Sequence, residues 1–279
     1  MKQIMGMAAV IGMTTIGFMA LALSSACRSH QSIFCHEHAH ADTDECAAPE
    51  FFTGGSKVIP LSGGNGKLDP AAIEAATKRG HGIHYPKPGA ISLTQSTELG
   101  TVYTQDEISA IAAVARRHSL AVHMDGARFA NAISAMSDSG NVTLADATWR
   151  NGIDVLSFGG TKNGLMGVEA CVIFDPKHAW EFELRRKRGG HLFSKHRYLS
   201  AQMGAYLTDD LWREMARAAN ARTAQLAEGL LQHNQAELLF QPDANMIFAR
   251  YPRRDHKRLL DAGANYYVWD GDPNSGDPD

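Results

Sequence analysis

The chain has 279 residues, enough for one large domain or two modest ones, and 44% of them are hydrophobic against 20% charged. With 10 prolines and 26 glycines, that composition excludes a disordered, collagen-like or low-complexity chain and supplies a sizeable core. Twenty-seven basic residues against 30 acidic leave a formal charge of -3, which excludes the basic footprint of a nucleic-acid-binding protein.

The N-terminal stretch carries no charge between Lys2 and Arg28 and closes on Ser24-Ser25-Ala26-Cys27. It reads as a helix buried in a soluble core, as a secretory or lipoprotein signal ending at Cys27, or as a membrane anchor. Gly6, Gly12, Thr14, Thr15 and Gly17 dilute the apolarity that an anchor needs. Next comes Cys35-His36-Glu37-His38-Ala39-His40, followed by Asp42, Asp44, Glu45 and Cys46. Ligands this dense suit zinc or copper. A strand, however, would line His36, His38 and His40 along one face, and three rings in a row are not a tetrahedral cage. Polar or site-lining histidines are the expectation, and no metal site is assigned.

Gly63–Lys67 lacks the spacing of a phosphate-binding loop and reads as a surface turn. Asp69-Pro70 then opens a helix over 71–79. Residues 91–94 read as a short buried strand. Thr104-Gln105-Asp106-Glu107 is a capping box, with Ile108, Ile111, Ala112 and Ala115 on one face of the helix that follows. Strands are expected at 120–124, 154–158, 170–174 and 246–249, and helices at 180–188 and 211–231. This alternation predicts an α/β fold with a largely parallel sheet covered on both faces. A weak boundary lies at Thr208-Asp209-Asp210. Four cysteines, Cys27, Cys35, Cys46 and Cys171, are too few for a disulfide scaffold and fit a reducing compartment. No Gly-x-Gly-x-x-Gly follows a strand, and no Gly-x-Ser-x-Gly elbow or His-Glu-x-x-His helix occurs, so dehydrogenase and serine hydrolase chemistry are disfavoured.

The strongest constellation is a pair of strand ends. His123-Met124-Asp125-Gly126-Ala127-Arg128 closes one strand, and Ser157-Phe158-Gly159-Gly160-Thr161-Lys162-Asn163-Gly164 closes the next. Ligands bind at the carboxyl ends of strands in open α/β sheets. A carboxylate at one end and a lysine at its neighbour suit pyridoxal phosphate, with the lysine forming an imine and the aspartate facing the pyridine nitrogen. Glycines around Lys162 are expected to let backbone approach the cofactor.

Residues 123–132 together with 154–164 resemble the bacterial low-specificity L-threonine aldolases of the beta-eliminating lyase/threonine aldolase family, which are fold-type I, aminotransferase-like pyridoxal phosphate enzymes. The resemblance runs from about Ala20 to the neighbourhood of Tyr251 and includes 36–45, the Phe51–Gly55 turn, 92–103 and 185–206. It implies Lys162 as the cofactor-bearing lysine, Asp125 at the pyridine nitrogen, and His40 stacked on the cofactor ring, five residues before Glu45. Arg128 would receive the substrate carboxylate; otherwise it is a helix-start arginine paired with a surface acid. The base that takes the β-hydroxyl proton stays open. A histidine of a better-studied branch falls where Thr97 stands, which leaves His40, a water or Glu98.

The implied activity is cleavage of L-threonine or L-allo-threonine to glycine and acetaldehyde by a cytoplasmic homodimer or homotetramer, with no membrane or nucleic-acid partner. The implied organisation is an atypical segment at 1–19, a partial cofactor-binding large domain at 20–208 and a partial, incomplete small C-terminal α+β domain at 209–279. The Gly-Thr turn that cradles the cofactor phosphate in the family has no match in 13–19, and the C-terminal arginine of the substrate site is not seen, so the chain reads as truncated at both ends. The alternatives are an inactive or weakly binding aldolase-like fragment and an exported metal-binding lipoprotein.

Overall fold

The computed structural model describes residues 8–13, 15–80, 82–140 and 142–269. They form a seven-stranded sheet from β1 (Ala8–Met13), β2 (Gln31–His36), β3 (Lys57–Leu61), β4 (Lys87–Thr94), β5 (Ala121–Gly126), β6 (Val155–Gly159) and β7 (Val168–Ile173), in the order β1-β7-β6-β5-β4-β2-β3. From β3 to β6 every pairing is parallel. β7 runs antiparallel to β6, and β1 antiparallel to β7. The reversal follows from the link: the short stretch 160–167 contains no crossover helix, so the chain can only turn back on its neighbour. The register places Asp125 beside Ser157 and Gly126 beside Phe158, which aligns the ends of β5 and β6.

Helix α1 (Thr15–Ala26) lies against the sheet. Phe18, Leu21 and Ala22 pack with Val155, Cys171, Ile173 and Phe182, while Met19, Leu23 and Cys27 pack with Ile33, Ala41 and Ala90. Phe18, Met19, Leu21 and Leu23 are each at most 2% exposed. At about 1.5–3 kcal/mol per side chain their burial contributes about 6–12 kcal/mol before entropic costs, on the scale of a whole domain's net stability. The segment is therefore a core helix. Cys27, at the end of that segment, is buried and its thiol is pushed up to about 11, first by desolvation. Among the described residues no helix is long and apolar enough to cross a membrane.

After β2 come the short helices α2 (His40–Thr43) and α3 (Ala48–Thr53), then α4 (Pro70–Thr77), capped by the Asp69 side chain on the Ala71 amide. Helix α5 (Gln105–Arg117) begins at the expected capping box, with Thr104 and Glu107 each satisfying the other's backbone N–H. Helices α6 (Phe129–Ser139), α7 (Ala179–Arg188), α8 (Arg197–Leu207), α9 (Leu211–Leu231) and α10 (Arg253–Asp261) complete the described helices. At 208–210 the chain turns with positive φ at Asp209 and Asp210. The core nevertheless continues past that turn: Trp212 and Ala216 of α9 share one apolar cluster with Phe129 and Phe158. The strand expected at 246–249 reduces to a two-residue pairing of β8 (Glu237–Leu238) with β9 (Ala249–Arg250).

Candidate active site

The aligned ends of β5 and β6 deliver the two motifs to one place. Asp125, next to last in β5, is 5% exposed, and its Oδ1 accepts the Ala127 amide at 3.0 Å. Its main-chain oxygen accepts the Gln95 amide at 2.8 Å, tying β5 to the loop after β4. Arg128 stands at the start of α6, half-buried; its carbonyl accepts the Asn131 and Ala132 amides, and its guanidinium makes no hydrogen bond or ion pair with any described residue. Burial lowers its pKa, with Asp125 and Glu98 nearby acting against that shift. The surface ion pair allowed as an alternative for Arg128 is not formed.

Lys162 sits in a single turn, Thr161–Asn163, just beyond β6. That turn is pinned from two sides. Asn163 donates to the Tyr206 hydroxyl at 2.6 Å and to the Trp212 carbonyl at 2.8 Å. The buried Glu169 of β7 accepts the Gly160 and Thr161 amides at 3.2 and 3.3 Å. Lys162 itself is accessible from the open side and makes no hydrogen bond or ion pair among the described residues. Its pKa is lowered, first by the protein mass that displaces water around it and then by the positive charge of Arg128. Asp125, Glu169 and Glu98 oppose that shift.

Two of the glycines before Lys162 are required by close packing of the chain on itself. A Cβ on Gly159 would lie 2.3 Å from the Ala127 carbonyl oxygen, and one on Gly160 would lie 2.6 Å from that of Val168. They let the chain pass itself closely enough for the two strand-end motifs to meet.

The histidine cluster is split. His36 ends β2 with Nε2 3.0 Å from the Gly63 carbonyl oxygen and Nδ1 accepting the His38 amide. The chain turns at 37–38, so the strand face imagined for all three histidines ends at His36. His40 opens α2, with Nδ1 2.6 Å from Glu45 Oε1 and Nε2 2.8 Å from Asp44 Oδ2. Its pKa is raised, chiefly by the hydrogen bond to Glu45. Electrostatic coupling to Lys162 and Asp125 places it with the site. Among the described residues no three metal-ligating side chains converge.

Two residues of the loop after β4 separate clearly. Thr97, where the family's histidine would fall, is 0% exposed, and its hydroxyl is engaged with that of Thr101 at 2.8 Å. Glu98 instead reaches the site: its Oε1 accepts the His40 amide at 2.9 Å and the Thr94 hydroxyl at 3.0 Å.

At adjoining strand ends, a lysine and an arginine whose side chains have no partner among the described residues thus flank a buried carboxylate. The beta-eliminating lyase model aligns with residues 1–251. The chain belongs to the beta-eliminating lyase family. It is 44% identical over 253 residues to the low specificity L-threonine aldolase of Pseudomonas sp. (strain NCIMB 10558), covering 90% of this chain and 72% of that protein. It is 42% identical, over 91% of this chain and 72% of the relative, to the enzyme of the same name from Pseudomonas aeruginosa. Among solved structures, a threonine aldolase from Leishmania major superposes with a TM-score of 0.84 at 27% identity, over 91% of this chain and 72% of that one. The family match begins at Met1, ahead of Ala20, where the resemblance read from the sequence begins. The α/β architecture is that of this lyase family.

Of the side chains that matter here, the sequence motifs did not single out Asn163 or Glu169. Glu169 carried a usable signal, a lone acid inside the apolar run Val168–Ile173. Asn163 carried none beyond its place next to Lys162.

Proposed function

We propose that the chain is a pyridoxal phosphate-dependent lyase that cleaves L-threonine and L-allo-threonine to glycine and acetaldehyde. The observation that carries this reading is the meeting of Lys162, Asp125 and Arg128, with unengaged polar atoms on the lysine and the arginine, in a chain 44% identical to a low specificity L-threonine aldolase. The residues fit the cofactor in kind. A lysine with a lowered pKa is the group that condenses with an aldehyde. A buried carboxylate suits a protonated pyridine nitrogen, and His40 offers a flat ring to stack on the cofactor. A guanidinium fork suits the substrate carboxylate. When bound, the cofactor supplies the conjugated cation that takes up the electron pair left on Cα.

The protein's own part is orientation and proton management. Asn163 and Glu169 fix the turn that carries Lys162, Asp125 is held by the Ala127 amide, and Arg128 is set by the start of α6. Four free cysteines, three of them buried, support a cytoplasmic setting, and the family resemblance supports a homodimer or homotetramer. Lys162→Ala tests the reading. The wild type should show a visible cofactor band, fixed by borohydride on the Lys162 peptide, and should release acetaldehyde from threonine. The variant should lose both. A borohydride-fixed adduct persisting at the same peptide in the variant sinks the assignment.

A further inference from the structure

The two oxygens of Glu98 differ. Oε1 is held by the His40 amide and the Thr94 hydroxyl, whereas Oε2 is buried and makes no hydrogen bond. A buried polar atom left unpaired costs about 1–3 kcal/mol, and a glutamine here would keep the Oε1 contacts without placing an anion in the site. The loop is rigid. Gln95 exchanges hydrogen bonds with the Tyr103 amide and carbonyl, both at 3.0 Å, and the Gln95 amide is tied to β5. Facing Glu98 are Asp125 from β5, Arg128 from α6, Lys162 from the turn after β6 and His40 from α2, with Cys35 of β2 and Tyr103 of its own loop also coupled to it.

The other side chains considered for the base are already committed. His40 has a carboxylate on each ring nitrogen, so its protonated form has no lone pair to offer. The Thr97 hydroxyl is turned into its own loop.

We propose that Glu98 is the catalytic base of the aldol cleavage and takes the β-hydroxyl proton of the substrate on Oε2. This rests on the aldolase reading above. The O–H bond breaks toward Glu98, and its electron pair becomes the second carbon–oxygen bond of the aldehyde. The Cα–Cβ pair stays with Cα. Glycine then needs one proton at Cα, which it takes from solvent while Glu98 gives the hydroxyl proton up to solvent, so the balance closes and no further reactant is required. Burial, and next the charge of Asp125, push the Glu98 carboxyl up to about 7. A base of that strength is matched to neutral pH.

Glu98→Gln in the holoenzyme is the test, because it keeps an oxygen for the His40 amide and the Thr94 hydroxyl. Threonine cleavage should lose about 10²–10⁴-fold in kcat with KM within about threefold, and the pH-rate limb near 7 should vanish. Exchange of the glycine α-proton with solvent, a reaction without a β-hydroxyl, should stay within about threefold. Infrared difference spectra of the substrate-free protein should show a carboxyl band titrating near pH 7 that the variant lacks. Cleavage within about fivefold of wild type, an unmoved pH limb, or glycine exchange falling in step with cleavage each overturns the proposal. A wild type that exchanges the glycine proton but cleaves no β-hydroxy amino acid overturns the aldolase reading, and this proposal with it.

Discussion

Replacing His123 with glutamine separates two ionisations that oppose each other in the same pH window. His123 is 0% exposed, with Nδ1 2.9 Å from the Ser92 hydroxyl and Nε2 2.8 Å from that of Ser157, and burial pushes its pKa down to about 4 from 6.5. The unfolded chain takes up a proton near pH 6.5 that the folded chain refuses until about 4. The contribution of His123 to stability is thus present above about 6.5 and lost as pH falls toward 4. Two and a half pH units at about 1.36 kcal/mol each amount to about 3 kcal/mol.

Glu98 has the opposite sign. Its carboxyl is raised to about 7, so its contribution is present below about 4.5 and lost as pH rises through 7. Because the residue is half-buried, solvent screening reduces this to about 2 kcal/mol. Unfolding of the cofactor-free protein should be followed at several pH values from about 4.5 to 7.5, taking the difference between wild type and each variant so that every other group cancels. The destabilisation caused by His123→Gln should shrink by about 2–3 kcal/mol as pH falls across that range. Glu98→Gln should gain about 2 kcal/mol on wild type as pH rises across it. A His123→Gln difference that stays flat with pH would refute the account of His123 as a histidine kept neutral by burial.

Under the proposed reading, Asp125→Asn removes the charge that would face the pyridine nitrogen while keeping an oxygen for the Ala127 amide. It should retain cofactor in absorbance titrations yet lose about 10²–10³-fold in kcat, the scale of one preorganised electrostatic contact; near-normal turnover would mean the electron sink is built differently. Asn163→Ala leaves the Tyr206 hydroxyl and Trp212 carbonyl without their donor. It should cost about 2–3 kcal/mol and lower Tm by roughly 4–10 °C in a calorimetric scan, with loss of the cofactor band beyond what the lowered stability accounts for.

What was legible in the sequence followed from local physics. The span 211–231 coincides with α9, and the capping box at Thr104 starts α5 as expected, because caps and amphipathic periodicity act within a few residues. Lys162 and Asp125 stood out because glycine-bracketed motifs at strand ends have few structural uses. β2 and β3 left no comparable trace. β2 is buried along nearly its whole length and shows no alternation, and β3 is an edge strand carrying Pro60, which a central strand would not accept. The parallel sheet was expected, but its antiparallel side was not, since strand direction depends on what lies between strands. The difference between Thr97 and Glu98 was equally hidden. Both lie in one polar stretch, and only the folded loop turns one inward to Thr101 and the other toward His40.

The same positive charge has two consequences at this site, and they act in sequence under the proposed reading. Lys162 must be a free amine to attack a carbonyl, and burial together with Arg128 shifts it in that direction. Arg128 is also the group shaped to receive the substrate carboxylate. Once a carboxylate sits on that guanidinium, the repulsion that lowered the pKa of Lys162 is largely cancelled, while Asp125, Glu169 and Glu98 still favour its charged form. An empty site therefore keeps Lys162 closer to a free amine, and a carboxylate on Arg128 moves it back toward the ammonium. Arg128→Lys would keep the charge, and with it the effect on Lys162, but would give up the bidentate geometry. The direction of the Lys162 shift and the affinity for the substrate carboxylate are thus set by different properties of one residue.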